Sequence, residues 1–206
     1  MKFDTFRVVK RTNVDLPQSL LMSLSCGLFR CPLPLAYELM PELAALYDTA
    51  PVSNPEEWEL DLKIHMLMKD QYPCIPNWHC DNVPRGADGK VNYSLTSSAV
   101  PPMYLWISDG PETEFLAQAF HALGEPAGHR ELAEHIRKSG LPTKAIEPQA
   151  WISMDQRTPH RGTQAQKDGW RVFARLTHKS ITPERPVLSY ARKHCQVYLD
   201  ATAFEW

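Results

Sequence analysis

Trp170-Arg171-Val172-Phe173-Ala174-Arg175-Leu176-Thr177 reads as a β-strand in which Arg171, Phe173, Arg175 and Thr177 share one face. Such a face is not a hydrophobic core. Two guanidiniums pointing the same way need an anion between them, and a planar carboxylate held by paired N–H groups is their natural partner. Working outward, Gly169 turns the chain into this strand. Before it, Ala150-Trp151-Ile152-Ser153-Met154-Asp155 reads as another strand, Gln156 to Pro159 as a turn, and His160-Arg161-Gly162 as the start of the next element.

Far upstream stands His79-Cys80-Asp81. Residues two apart on a strand point to the same side, so His79 and Asp81 can reach one ion while Cys80 points away. With His160 they make two imidazoles and one carboxylate, the set that holds ferrous iron on one face and leaves the other open to substrate and oxygen. The pattern predicts an oxygenase. A zinc site through Cys74, His79 and Cys80 fits less well, because adjacent residues of a strand face opposite ways.

Taken in order, these residues resemble the Fe(II)/2-oxoglutarate-dependent dioxygenase superfamily: H-x-D as His79 and Asp81, the distal histidine as His160, and an arginine eleven residues later as Arg171. The stretch ISMDQRTPHRG is similar to the segment that runs through the distal histidine in that superfamily. The resemblance covers roughly residues 58 to 180 and implies a double-stranded β-helix, or jelly roll, mainly β with helical insertions. It implies Fe(II), 2-oxoglutarate and O2 as cofactor and co-substrates. The far carboxylate of 2-oxoglutarate would be held by Arg171 with help from Thr177. Branches of the superfamily differ in where this arginine falls, so Arg175 is the alternative anchor.

The remainder of the chain reads as support. Its 206 residues, 43% hydrophobic, suit a single domain, with 18 prolines against nine glycines as punctuation, clustered for instance at Pro32, Pro34, Pro101, Pro102, Pro183 and Pro186. Phe3 to Val9 is a candidate strand, and Ala36 to Tyr47 a candidate helix with Pro41 in a first turn. Trp58, Leu60, Leu62, Ile64, Met66 and Met68 alternate with Glu59, Asp61, Lys63 and His65, the pattern of a half-buried strand. Met103 to Ser108 reads as a strand, and Glu112 to Leu123 and His129 to Lys138 as helical insertions. His121, His129 and His135 are read as surface residues. Trp78, Tyr93, Tyr104 and Trp106 are read mostly as core, with a minority lining the pocket.

The apolar stretch Leu20 to Phe29 is too short and too polar to span a bilayer. Five cysteines without C-x-x-C spacing favour reduced thiols, so the expectation is a soluble cytoplasmic protein, and a monomer. The formal net charge is only -2, but residues 156–195 carry nine Lys/Arg against two acids. This basic segment would steer DNA toward the site. The strand RVFARLTHKS is similar to the end of the catalytic core in the ten-eleven translocation and base-J binding branch, which implies oxidation of a 5-methylpyrimidine methyl in DNA. The alternatives are a small-molecule hydroxylase in which Arg175 binds a substrate carboxylate or sulfonate, and a non-enzymatic, cupin-like metal-binding protein.

Overall fold

The computed structural model describes residues 1–24, 26–110, 113–182, 187–193 and 195–199. In chain order its strands are β1 (Lys2–Phe3), β2 (Arg7–Arg11), β3 (Gly27–Pro32), β4 (Trp58–Leu67), β5 (Met103–Ile107), β6 (Thr113–Leu116), β7 (Phe120–His121), β8 (Thr143–Ala145), β9 (Ala150–Met154), β10 (His160–Gly162), β11 (Gly169–His178) and β12 (Ala191–Arg192). The helices are α1 (Gln18–Leu24), α2 (Leu33–Leu39), α3 (Ala44–Tyr47) and α4 (His129–Ser139).

A large sheet runs β12-β3-β4-β11-β5-β9-β2 and a smaller one β10-β6-β8, while β1 and β7 form a separate ribbon. Every pairing is antiparallel. A bridge between His79 and His160 adds a fourth segment to the β10 edge of the small sheet. Four central strands, β4-β11-β5-β9, thus face four segments in the order 79-β10-β6-β8. Consecutive segments alternate between the two sheets except at β6 and β8, which pair with each other in the small sheet, and this is the double-stranded β-helix.

The two faces of β4 and β11 explain how the large sheet is held. Leu60, Leu62, Ile64, Val172, Ala174 and Leu176 point outward into one buried cluster with Leu21, Leu33, Ala36, Leu43 and Leu46 from the α1–α3 region. Each such side chain, fully buried, contributes roughly 1.5–3 kcal/mol. The opposite face points into the barrel, and the register stacks its residues into rungs: Glu59 with Thr177, Asp61 with Arg175, Lys63 with Phe173, and His65 with Arg171. The alternation of β4 was legible, but its polar residues face the interior rather than solvent. The helical layer, not the barrel, takes up the apolar side.

Several local expectations are corrected. Phe3 to Val9 is not one strand: β1 and β2 flank a crossing at Asp4, whose N–H donates to the Arg157 carbonyl. The helical composition of Ala36 to Tyr47 is interrupted before Pro41 as its proline predicts, but Pro41 opens a 3-10 turn before α3 rather than an α-helix. Within the supposed insertion Glu112 to Leu123, Thr113–Leu116 and Phe120–His121 form β6 and β7, because pairing of β6 by β10 and β8 and of β7 by β1 overrides local propensity. Glu112, Pro183 and Pro186 lie outside the described residues. The second insertion is helical: α4 buries Leu132, Ala133 and Ile136 and ends at Gly140, whose φ of +62° suits a residue without Cβ. No helix among the described residues is long and apolar enough to cross a membrane.

Candidate metal centre and its cavities

His79 and His160 are directly opposed in antiparallel register. The His79 N–H donates to the His160 carbonyl at 3.0 Å and the His160 N–H returns the bond at 2.9 Å. Directly opposed residues project to the same face, so the rings meet with centroids 4.5 Å apart. Asp81, two residues on, points the same way. Its carboxylate lies 3.9 Å from His79 Nε2 and 3.4 Å from His160 Nε2. Among the described residues, these three alone bring ligand atoms within 4.8 Å of one another in a group that could hold a metal.

The surroundings prepare both imidazoles as ligands. His79 Nδ1 lies 2.8 Å from the Asn77 carbonyl, and His160 Nδ1 lies 3.0 Å from the Thr158 carbonyl. With Nδ1 donating to a carbonyl two residues back, each Nε2 keeps its lone pair for the ion. Burial, then the neighbouring His160, pushes the His79 pKa down to about 3, so the ring is neutral. Burial alone would raise the Asp81 carboxyl, but Arg175 and then His160 and His79 outweigh it and hold Asp81 ionised, well below the usual range.

Arg175 is the residue around which the centre is braced. One terminal nitrogen lies 2.5 Å from Asp81 and the other 2.5 Å from Asp61. Asp61 in turn accepts the Arg30 backbone N–H at 2.9 Å, and Arg30 pairs with Glu59 at 3.0 Å. Arg171 lies deeper, 1% exposed, with its aliphatic part against Gly110. Gly110 has a φ of +92°, a conformation that resists a side chain. Burial lowers Arg171 to about 10, whereas Asp81 and Asp61 overcome burial and raise Arg175.

Two cavities meet at the Asp61–Arg175 rung. The first, about 350 Å³, is lined by the triad together with Lys63, Cys74, Thr113, Phe173, Arg192 and Tyr198. Lys63 Nζ and Arg171 Cζ each lie 5.7 Å from the Phe173 ring centroid. Lys63 lines the cavity and Arg171 does not, so the sequence reading missed one of the cations on its wall. The second cavity, about 690 Å³, lies toward the Glu59–Thr177 rung and includes Arg30, Arg85, His129 and Gln156. Thr177 belongs here rather than beside Lys63, which separates it from the expected anchor.

His129, expected at the surface, is half-buried: its Nδ1 is 2.7 Å from the Tyr93 hydroxyl and its ring centroid 6.1 Å from that of His79. No spacing rule pairs it with His79, since a tertiary contact of α4 brings it there. Trp78, Tyr93 and Trp106 are buried in hydrophobic clusters and line neither cavity, and Tyr104 packs on Trp58. Much of the basic segment is likewise engaged. Arg161 pairs with Glu114 at 2.6 Å, Arg157 donates to Thr96, and Arg171 and Arg175 are inside the barrel.

No family model and no curated protein matches the chain. Among solved structures, a match is EvdO2 from Micromonospora carbonacea var. aurantiaca complexed with 2-oxoglutarate. It is 16% identical, with a TM-score of 0.35, and the match covers 68% of this chain and 63% of that one, so the chain spans less than two thirds of its length.

Proposed function

We propose that the protein is an Fe(II)- and 2-oxoglutarate-dependent oxygenase that hydroxylates a C–H bond. The observation that carries this reading is the convergence of His79 Nε2, His160 Nε2 and the Asp81 carboxylate on the wall of a cation-lined cavity. The residues fit the groups required. Two imidazole nitrogens and one carboxylate oxygen on one side of an ion suit ferrous iron and leave positions open. A cavity of about 350 Å³ accommodates a five-carbon dicarboxylate, and Lys63, backed by Arg171, supplies positive charge on its wall. Thr113 lines the same cavity, buried beside Cys74.

With iron and 2-oxoglutarate bound, the chemistry supplied is R–H + O2 + 2-oxoglutarate to R–OH + succinate + CO2, one oxygen atom going to each organic product. The chain's own residues do the rest. Lys63, with Arg171 behind it, orients the distal carboxylate, Arg175 and Asp61 fix the rotamer of Asp81, and Phe173 and Leu105 keep water out. Arg175 is therefore read as a positioning residue, because both its terminal nitrogens already meet carboxylates. Anaerobic ferrous titration followed by a succinate assay tests the reading. Iron binding without any succinate would leave a cupin-like binding protein.

For the substrate, the 5-methylpyrimidine reading rests on the similarity of RVFARLTHKS and on the basic segment, in which Lys167 is exposed. A small-molecule substrate is favoured by the engagement of Arg157, Arg161 and Arg175 of that segment within the chain, which leaves fewer cations for phosphates. Mass spectrometry of nucleosides from methylated DNA after incubation separates the two.

A further inference from the structure

The second cavity contains polar atoms that the fold leaves without partners. Gln156 is 4% exposed, and its Nε2 donates to the Asn82 carbonyl at 2.9 Å, which fixes the amide and leaves Oε1 buried with no hydrogen bond. Thr177 is 2% exposed and its hydroxyl also has none. Both line the cavity, as do Arg30 and Arg175, whose Nη1 and Nε are in the same condition. Buried polar atoms are normally satisfied, so four orphaned atoms carried by residues of one cavity wall single this cavity out as a ligand site. The backbone adds an independent sign. Arg30, on the wall of this cavity, holds a φ of +49°, a conformation that costs a non-glycine residue and concentrates at functional sites.

We propose that this cavity binds the molecule to be oxidised, and that the molecule is small, uncharged and rich in hydroxyl or amide groups. This rests on the oxygenase reading. Gln156 Oε1 requires a donor from the ligand, Arg30 Nη1 and Arg175 Nε require acceptors, and the Thr177 hydroxyl serves either way. Hydroxyls and amides offer both. An anion is disfavoured because the charges of Arg30 and Arg175 are already met by Glu59, Asp61 and Asp81, and Glu59 and Asp61 themselves line the space. Arg85, also on the lining, is exposed at the rim.

The test incubates the full chain with Fe(II), ascorbate and 2-oxoglutarate in the presence of two probe sets. The neutral set comprises polyols, methyl glycosides and N-acetyl amino-acid amides; the anionic set comprises sugar phosphates, free carboxylic acids and a methylated DNA duplex. Succinate release and the mass of each probe are followed. At least one neutral class is expected to raise succinate release above the uncoupled level and to gain one oxygen atom. The ratio of stimulated to uncoupled release should fall about tenfold in Gln156→Leu and in Thr177→Val, consistent with loss of one buried hydrogen bond. Thr177→Ser should restore it. Stimulation by anionic probes alone, no stimulation by any neutral probe while uncoupled release persists, or an undiminished ratio in both variants overturns the proposal. Absence of succinate under every condition instead removes the oxygenase reading, and this proposal with it.

Discussion

The two ends of the barrel's inward face are built from the same residue types yet behave oppositely. At the Asp61–Arg175 rung a guanidinium sits between two carboxylates, and despite burial its pKa rises. At the Lys63 and His65–Arg171 rungs all three groups are pushed down: burial is the first cause for each, and the neighbouring arginines add to it for Lys63 and His65. One end has its counter-charges within the chain. The other has its positive charge disfavoured and gains most from an incoming carboxylate. A single strand pair thus contains a braced region and a receptive one, set on successive rungs by register.

The largest effect should come from the triad between these ends. His160→Ala or Asp81→Ala is expected to abolish ferrous binding and succinate formation together, since two remaining ligands hold the ion too weakly. Full succinate production by His160→Ala would break the comparison at its centre. Next come the receptive cations. Lys63→Met should raise the 2-oxoglutarate requirement about 30-fold, from the loss of about 2 kcal/mol in a charge-assisted contact, and Arg171→Ala, which removes the charge behind it, by less. Arg175→Ala raising that requirement more than either would move the anchor to the braced end.

Asp61→Asn sharpens the contrast from the other side. Leaving Arg175 with one counter-charge should cost roughly 1–3 kcal/mol in urea unfolding, less than for a fully buried pair because the two side chains are 20% and 14% exposed. An unchanged midpoint would mean that the brace contributes nothing. The smallest effect is a slope. His65 and His79 are held at about 3 and His129 at about 4, against an ordinary 6.5, with burial the leading cause in each case. Below pH 6.5 the unfolded chain takes up protons that the fold refuses, so stability should fall with acidity by about 1.4 kcal/mol per pH unit for each histidine. His65→Leu should flatten that slope by one histidine's share between pH 6 and 4.5; an unaltered slope would mean that His65 takes up its proton in the fold.

The parts of this arrangement legible in the sequence are those set by strand periodicity. H-x-D placed His79 and Asp81 on one face, and the alternation of residues 170–177 placed Arg171 and Arg175 together inside. The same rule gave β4 its two faces but could not say which was inward, because that depends on the helical layer covering Leu60, Leu62 and Ile64. Lys63 and Asp61 were missed for that reason. His129 and Gln156 reach the site through tertiary contacts of α4 and the loop before β10, which leave no local period. Residues 113–121 were misread because pairing with β10 and β8, not composition, makes β6 a strand.

The opposed placement of His79 and His160 makes the ligand set a reporter of strand registration. Were the segment at residue 79 to slip by one position along β10, Cys80 would face inward and both His79 and Asp81 would turn to the other side. Only a chain zipped in the native alignment presents three donors to an ion. A metal added during refolding therefore selects that alignment, and at a hundred times its dissociation constant contributes about 2.7 kcal/mol toward it. Refolding yield should rise with divalent metal in the unchanged sequence and lose that dependence in His160→Ala.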